Sequence, residues 1–190
     1  MTPLPQHLLE SVASEAVREG LADALFTRVP TPIGDLTVVS GDRGIVRVGF
    51  HEDPEDVILA EAAAGLGPRV LRADAQLADV REKLQAFLET DGGELDLPYD
   101  LRLVQSPFRR RVLEVLAADV HRGDTIRYGE LAARSGNARA ARAAGTACAT
   151  NPVPIVVPCH RVLPSTGGVG NYGGGPPRKV RLLQIEGAIL

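Results

Sequence analysis

Apolar positions in residues 6–25 recur at helical spacing. Leu8, Leu9, Val12, Ala16, Val17, Leu21 and Leu25 form one stripe, which predicts an amphipathic helix. The period then drops to two. In TPIGDLTVVSGDRGIVRVGF (31–50), short β-branched runs flank the turn-rich Ser40-Gly41-Asp42-Arg43-Gly44, the pattern of an antiparallel hairpin. A third strand is expected around 101–105. Between them, Asp74 precedes Leu77, Val80, Leu84, Phe87 and Leu88, whose spacing predicts a helix ending near Gly92. The N-terminal half is therefore read as α+β.

The second half is patterned mainly for helices. Ser106-Pro107 is an N-cap followed by proline at the first helical position, and Phe108, Val112, Val115 and Leu116 mark the buried face of a helix to about Ala118. YGELAAR (128–134) predicts a short helix that SGN (135–137) terminates, and ARAARAAGTACAT (138–150) predicts the next. Together they have the outline of a helix-turn-helix. The second helix is almost all small residues, so it lacks the Asn, Gln and Glu that would read base edges. It can instead approach a narrow groove closely, with Arg139 and Arg142, three apart, expected on one face. A packed core helix has the same composition. Ile155-Val156-Val157 is read as a buried strand, and PPRKVRLLQIEGAIL (176–190) as a helix with Val180, Leu182 and Leu183 inward, closing on Glu186-Gly187.

Composition adds a boundary and an asymmetry. At 190 residues with 44% hydrophobic content, the chain can bury a substantial core as one large domain or two small ones. ELDLPYD (94–100) is acidic and irregular, which places the expected boundary between residues 1–98 and 99–190. Residues 1–101 carry 8 Lys+Arg against 19 Asp+Glu, a net −11, while residues 102–190 carry 13 against 5, a net +8; together these give the chain's −3. The basic half suits a polyanion such as nucleic acid. No basic leader precedes an apolar run in residues 1–25, and no apolar stretch is long enough for a membrane span, so the cytosol is the expected compartment. There Cys148 and Cys159, eleven apart, are expected as free thiols.

The chemistry concentrates in IVVPCHRV (155–162). A strand ending in Cys159-His160 would aim the two side chains at opposite faces, so their coupling is expected to be indirect, through a bridging water or a third residue that orients the imidazole. Glu186 is the candidate third residue, because an acid in the last turn of a helix opposes the macrodipole and needs a compensating partner. The other histidines and Cys148 lack metal-ligand spacing with this pair, so no metal is expected. The residues alone leave a cysteine hydrolase and a DNA-binding regulator as competing classes.

As a set, RYGELA, ARAAGTACATNPVPIVVPCHRV, GNYGGG and LLQIEG, in that order over about residues 106–187, resemble the O6-alkylguanine-DNA alkyltransferases. The resemblance implies a ribonuclease-H-like N-terminal domain with an antiparallel sheet, and a mainly helical C-terminal domain containing the helix-turn-helix. It implies irreversible transfer of an alkyl group from O6 of guanine in double-stranded DNA to Cys159, a single turnover with no cofactor. O4-alkylthymine is left open as a second substrate. Within this family His160 is implied as the water-mediated base and Glu186 as the acid that orients it. Tyr128 is implied to help rotate the nucleotide and donate to the base, and Arg142, with Arg139, to meet DNA in the minor groove, Arg142 filling the gap left by the extruded base. Asn151 matches the hinge before the active-site segment, and Pro154, the Val162 backbone and Tyr172-Gly173 match the pocket walls. Gly173 stands where some relatives carry serine. Residues 1–147 contain no cysteine, so the structural zinc of certain relatives is not expected. A monomer without membrane association is expected, cooperative assembly on DNA being left open. A non-catalytic lesion binder of the same family would lack Cys159.

Overall fold

The computed structural model describes residues 6–89 and 93–189, a mixed α/β chain. It divides into two compact units, Met1–Gln85 with Leu97–Leu103, and Ala86–Asp96 with Val104–Leu190.

The first unit opens with α1 (Gln6–Arg18), shorter than its apolar stripe suggests. Gly20, at φ +65, ends it: Leu21 N donates to Ala16 O at 2.7 Å and Gly20 N to Val17 O at 3.1 Å, a Schellman closure. Leu25, which continues the helical spacing, lies instead in β1 (Ala24–Val29). The expected hairpin forms from β2 (Leu36–Gly41) and β3 (Gly44–Phe50), paired antiparallel with Leu36 opposite Phe50. β1 pairs antiparallel with β2 and parallel with β4 (Val70–Arg72), giving the order β3-β2-β1-β4. Helix α2 (Glu55–Leu66) covers this sheet, with Ile58 and Ala62 buried against Ala24, Val39 and Val46. Its apolar residues run around the helix rather than along a stripe, so periodicity did not reveal it.

No strand occupies 101–105. Pro98 O accepts from Ile45 N and Asp100 N donates to Ile45 O, both at 2.8 Å, so the chain touches β3 earlier and only as an isolated bridge at Tyr99. Gly44 makes this approach possible, since a Cβ there would sit 2.3 Å from Pro98 O. Helix α3 (Ala78–Glu89) follows the expected apolar spacing; the expected end near Gly92 lies outside the described residues.

In the second unit α4 (Pro107–Asp119) is capped by Ser106, whose Oγ accepts from Arg109 N at 3.4 Å. α5 (Tyr128–Arg134) and α6 (Ala141–Ala149) form the helix-turn-helix outline around Gly136 at φ +94. α6 begins three residues later than its sequence pattern suggests. Arg139 therefore precedes the helix, its N donating to Asn137 Oδ1 at 3.1 Å, and it does not share a helix face with Arg142. Both arginines are exposed. Two short parallel strands, β5 (Ile126–Arg127) and β6 (Val162–Leu163), bring the start of α5 beside the segment that ends at Arg161. α7 (Pro176–Ile185) closes the unit. No helix among the described residues is long and apolar enough to cross a membrane.

Candidate active site

The run Ile155-Val156-Val157 is buried but is not a strand. Ile155 adopts φ +75, a left-handed conformation that costs a β-branched residue on the order of 1–3 kcal/mol. Asn151 closes the loop around it: Oδ1 accepts from Val153 N at 3.1 Å, and Nδ2 donates to Val157 O at 2.9 Å and to Cys159 Sγ at 3.2 Å. Pro158 (φ −81, ψ 60) makes an inverse γ-turn in which Cys159 N donates to Val157 O at 2.8 Å. Cys159, His160 and Arg161 then form a single 3-10 turn that leads into β6. Cys159 and His160 thus sit in a turn, not in the alternation of a strand.

His160 is fully buried and its ring faces Glu186, with Nε2 to Oε1 at 2.8 Å. Glu186 is the C-cap of α7 and also accepts from Arg161 Nε and Nη2, each at 2.9 Å. The compensation that an acid at a helix C-terminus needs is therefore present twice. Burial alone would raise the Glu186 pKa, but the His160 hydrogen bond and charge and the two Arg161 bonds outweigh it and hold the carboxyl at about 2. Arg161 Nη1 also donates to Val120 O at 2.6 Å. The other ring nitrogen, His160 Nδ1, is buried with no hydrogen bond from the described residues. With Nε2–H donating to Glu186, Nδ1 carries the lone pair of a neutral imidazole.

Cys159 is 4% exposed, and burial pushes its thiol up to about 11 in spite of the Asn151 hydrogen bond and the charge of Lys179. A thiol this reluctant to ionise needs both a proton acceptor and stabilisation of its anion. It lies in a cavity of about 580 Å³ walled by Tyr128, Gly145, Cys148, Tyr172 and Gly173, large enough for a purine base with its substituent. Burial and the two thiols push Tyr128 up to about 12, so its hydroxyl stays a donor. Tyr172 stands edge-on to His160, with ring centroids 6.3 Å apart. Gly173 offers open space where a Cβ would project, so the serine of some relatives would fit.

Residues 107–188 match the family model described as the DNA-binding domain of 6-O-methylguanine DNA methyltransferase. The methylated-DNA–protein-cysteine methyltransferase of Mycolicibacterium paratuberculosis is 45% identical over 161 residues, spanning 85% of this chain and 91% of the relative. The human protein of the same name is 36% identical over 167 residues, spanning 85% and 79%. The chain belongs to the methylated-DNA–protein-cysteine methyltransferase family. Among solved structures, Mycobacterium tuberculosis O6-methylguanine methyltransferase superposes with a TM-score of 0.72 at 31% identity, covering 86% of this chain and 93% of that one. The M. tuberculosis protein in complex with DNA gives 0.71 at 32%, covering 86% and 92%.

Set against the alkyltransferase pattern, Cys159, Tyr128, Tyr172 and Gly173 line one cavity, while Asn151, His160 and Glu186 support it from behind. Pro154 and Val162 are buried and do not line this cavity. Arg142 projects from the first turn of α6, whose Gly145 and Cys148 form part of the wall. Among the described residues no group of three His, Cys, Asp or Glu side chains could hold a metal ion.

Two buried cations were not anticipated. Arg161 shares Glu186 with His160, and the signal for it is its adjacency to the Cys-His pair. Lys179 is fully buried, whereas Val180, expected inward, is only half-buried. Positions 179, 182, 183 and 186 are the inward stripe of α7, so a lysine in register with Leu182 and Leu183 is the legible sign.

The buried His160–Glu186 pair makes the fold acid-sensitive in a defined order. Burial lowers the His160 pKa against the pull of Glu186, so the unfolded chain binds that proton first; the stability involved is complete above about pH 6.5 and falls below it. Glu186 adds a second loss as pH drops from about 4.5 through about 2. We expect the melting temperature to fall between pH 7 and pH 5, and less so in His160→Gln. A flat profile down to pH 5 in the unaltered protein would show that His160 is not buried as the neutral ring.

Proposed function

We propose that the protein repairs double-stranded DNA by direct reversal, transferring the alkyl group from O6 of guanine to Cys159 in a single turnover. The observation that carries this reading is the placement of a pocket-lining thiol, Cys159, with Asn151 on its Sγ and His160, paired with Glu186, next to it in the chain. The Sγ–H proton passes through a water to His160 Nδ1, and the positive charge this creates is held by Glu186. Cys148 also borders the cavity, but it has no such set and burial pushes its thiol higher still.

The thiolate attacks the alkyl carbon, forming the S–C bond while the C–O6 bond breaks and its electron pair goes to the guanine. The purine takes a proton from the Tyr128 hydroxyl, which regains one from solvent as His160 releases its own. The product thioether has no good leaving group, so water cannot restore the thiol. This separates the protein from a cysteine hydrolase, whose acyl intermediate is hydrolysed.

O6 of guanine lies inside the base stack, so the nucleotide must be turned out, at a cost of a few kcal/mol for an intact pair and less for a lesion. Arg142, exposed at the start of the small-residue helix α6, is the residue that fills the vacancy, with Arg139 beside it on the backbone. With excess O6-methylguanine duplex, repair should stop after one equivalent of methyl per protein. Continued turnover would refute the single-use mechanism.

A further inference from the structure

Among the described residues Lys179 is the largest charged side chain buried completely, and nothing in the relay uses it. Its Nζ donates to Val162 O at 2.7 Å and to Asn171 O at 3.4 Å, two neutral carbonyls. No carboxylate among the described residues lies within ion-pair distance of it. Glu186, two turns along the same inward stripe, is already committed to His160 and Arg161. A buried ammonium with only carbonyl partners is an unbalanced charge, and such charges are retained where an anion is expected.

The anion in reach is a thiolate. α7 packs on the 3-10 turn that carries Cys159, and Val162, which holds the Lys179 Nζ, is three residues beyond it. We propose that Lys179 is a positioning residue whose buried ammonium serves as the counter-charge of the Cys159 thiolate during alkyl transfer. This rests on Cys159 being the acceptor.

The other groups facing Cys159 do not supply that charge. Asn151 offers a neutral donor from the loop after α6, and Tyr128 at the start of α5, Tyr172 on the pocket loop and Cys148 on α6 are neutral acids. When Cys159 loses its proton to His160, the new imidazolium pairs with Glu186, and the thiolate is left to Asn151 and Lys179. The lysine charge favours the ionised form of both Cys148 and Cys159, but only Cys159 has a donor and a base arranged to use it. The two carbonyl bonds give Lys179 a second task, since Asn171 precedes the pocket residues Tyr172 and Gly173.

The test separates charge from anchoring. In a Cys148→Ala background, so that one thiol reports, the rate of Cys159 alkylation by uncharged iodoacetamide is followed against pH. Lys179→Met should move the midpoint up by about one unit, a roughly tenfold slower reaction near neutrality that converges with the parent rate at high pH. Lys179→Arg, which keeps the charge, should recover most of the shift. An unchanged midpoint, whether the rate is lowered uniformly or not at all, would overturn the proposal and leave Lys179 as an anchor.

Should Lys179→Met fail to fold, the unaltered protein still decides. The Lys179 ammonium, followed by carbon-13 NMR of its ε-carbon, should lose its proton at lower pH once Cys159 is S-methylated, because the sulfur can then no longer ionise beside it as the pH rises. Equal midpoints before and after methylation would contradict the coupling. If Cys159 takes up no methyl group from DNA, the acceptor reading falls, while the iodoacetamide profile still reports on Lys179.

Discussion

Cys159→Ser is expected to fold, bind DNA and transfer no measurable alkyl group. Serine is close to cysteine in size, and Asn151 Nδ2, which donates to Sγ at 3.2 Å, can donate to a hydroxyl oxygen as well, so packing is nearly conserved. The chemistry is not. Burial already holds the thiol at about 11, and an alcohol in the same place is a far weaker acid that His160 cannot ionise to a useful extent. Loss of a nucleophile that acts together with its base costs on the order of a thousandfold or more in rate. The measurement is repair of O6-methylguanine duplex beside a DNA-binding titration. Residual repair near the parent rate would move the acceptor elsewhere, whereas loss of binding as well would show that the thiol serves the fold.

Glu186→Gln should be the most damaging change away from the acceptor, for two reasons that add. The amide cannot hold a charged His160, so transfer slows while the pocket remains. It also leaves Arg161 without the carboxylate that receives both Nε and Nη2, its remaining acidic neighbour being the half-exposed Glu94 at 3.6 Å. Breaking a buried pair by removing one partner costs about 3–5 kcal/mol. A lower melting temperature should therefore accompany the slower transfer, with DNA affinity nearly unchanged at temperatures where the variant is folded. Arg161→Gln separates the effects, because it removes the second partner of Glu186 and leaves the His160 bond in place. A Glu186→Gln variant that melts and reacts like the parent would reduce Glu186 to the end of a helix.

The sequence singled out Cys159, His160 and Glu186 more readily than the scaffold that positions them. Cys159, His160 and Glu186 could be named because a thiol beside an imidazole and an acid at a helix C-terminus are each chemically conspicuous, and the structure joins the imidazole to the acid at 2.8 Å. Local signals failed where the decisive interaction is distant or the pattern ambiguous. A run of β-branched residues at 155–157 has the composition of a strand, but Asn151 bonds across it and Ile155 turns left-handed, so the segment becomes a tight loop. Leu21 and Leu25 keep a helical spacing that Gly20 has already ended. α2 has no polar face to reveal its period, and the contact of Pro98 and Asp100 with Ile45 depends on residues more than fifty positions apart. Lys179 and Arg161 carry a weaker signal, for another reason. Cations are mostly exposed, so only the inward register of α7 and the burial of the 3-10 turn reveal that these two are not.

The most direct test is to locate the transferred group. The tryptic peptide of residues 143–161 contains both Cys148 and Cys159, so its total mass counts the methyl groups and its fragment ions assign them. After incubation of the unaltered protein with excess O6-methylguanine duplex, the peptide should gain one CH₂ in every molecule, wholly on Cys159, with unmodified guanine restored in the DNA. A methyl group on Cys148, an unmodified peptide beside repaired DNA, or less than one equivalent when substrate remains in excess would contradict the assignment of Cys159 as the single-use acceptor.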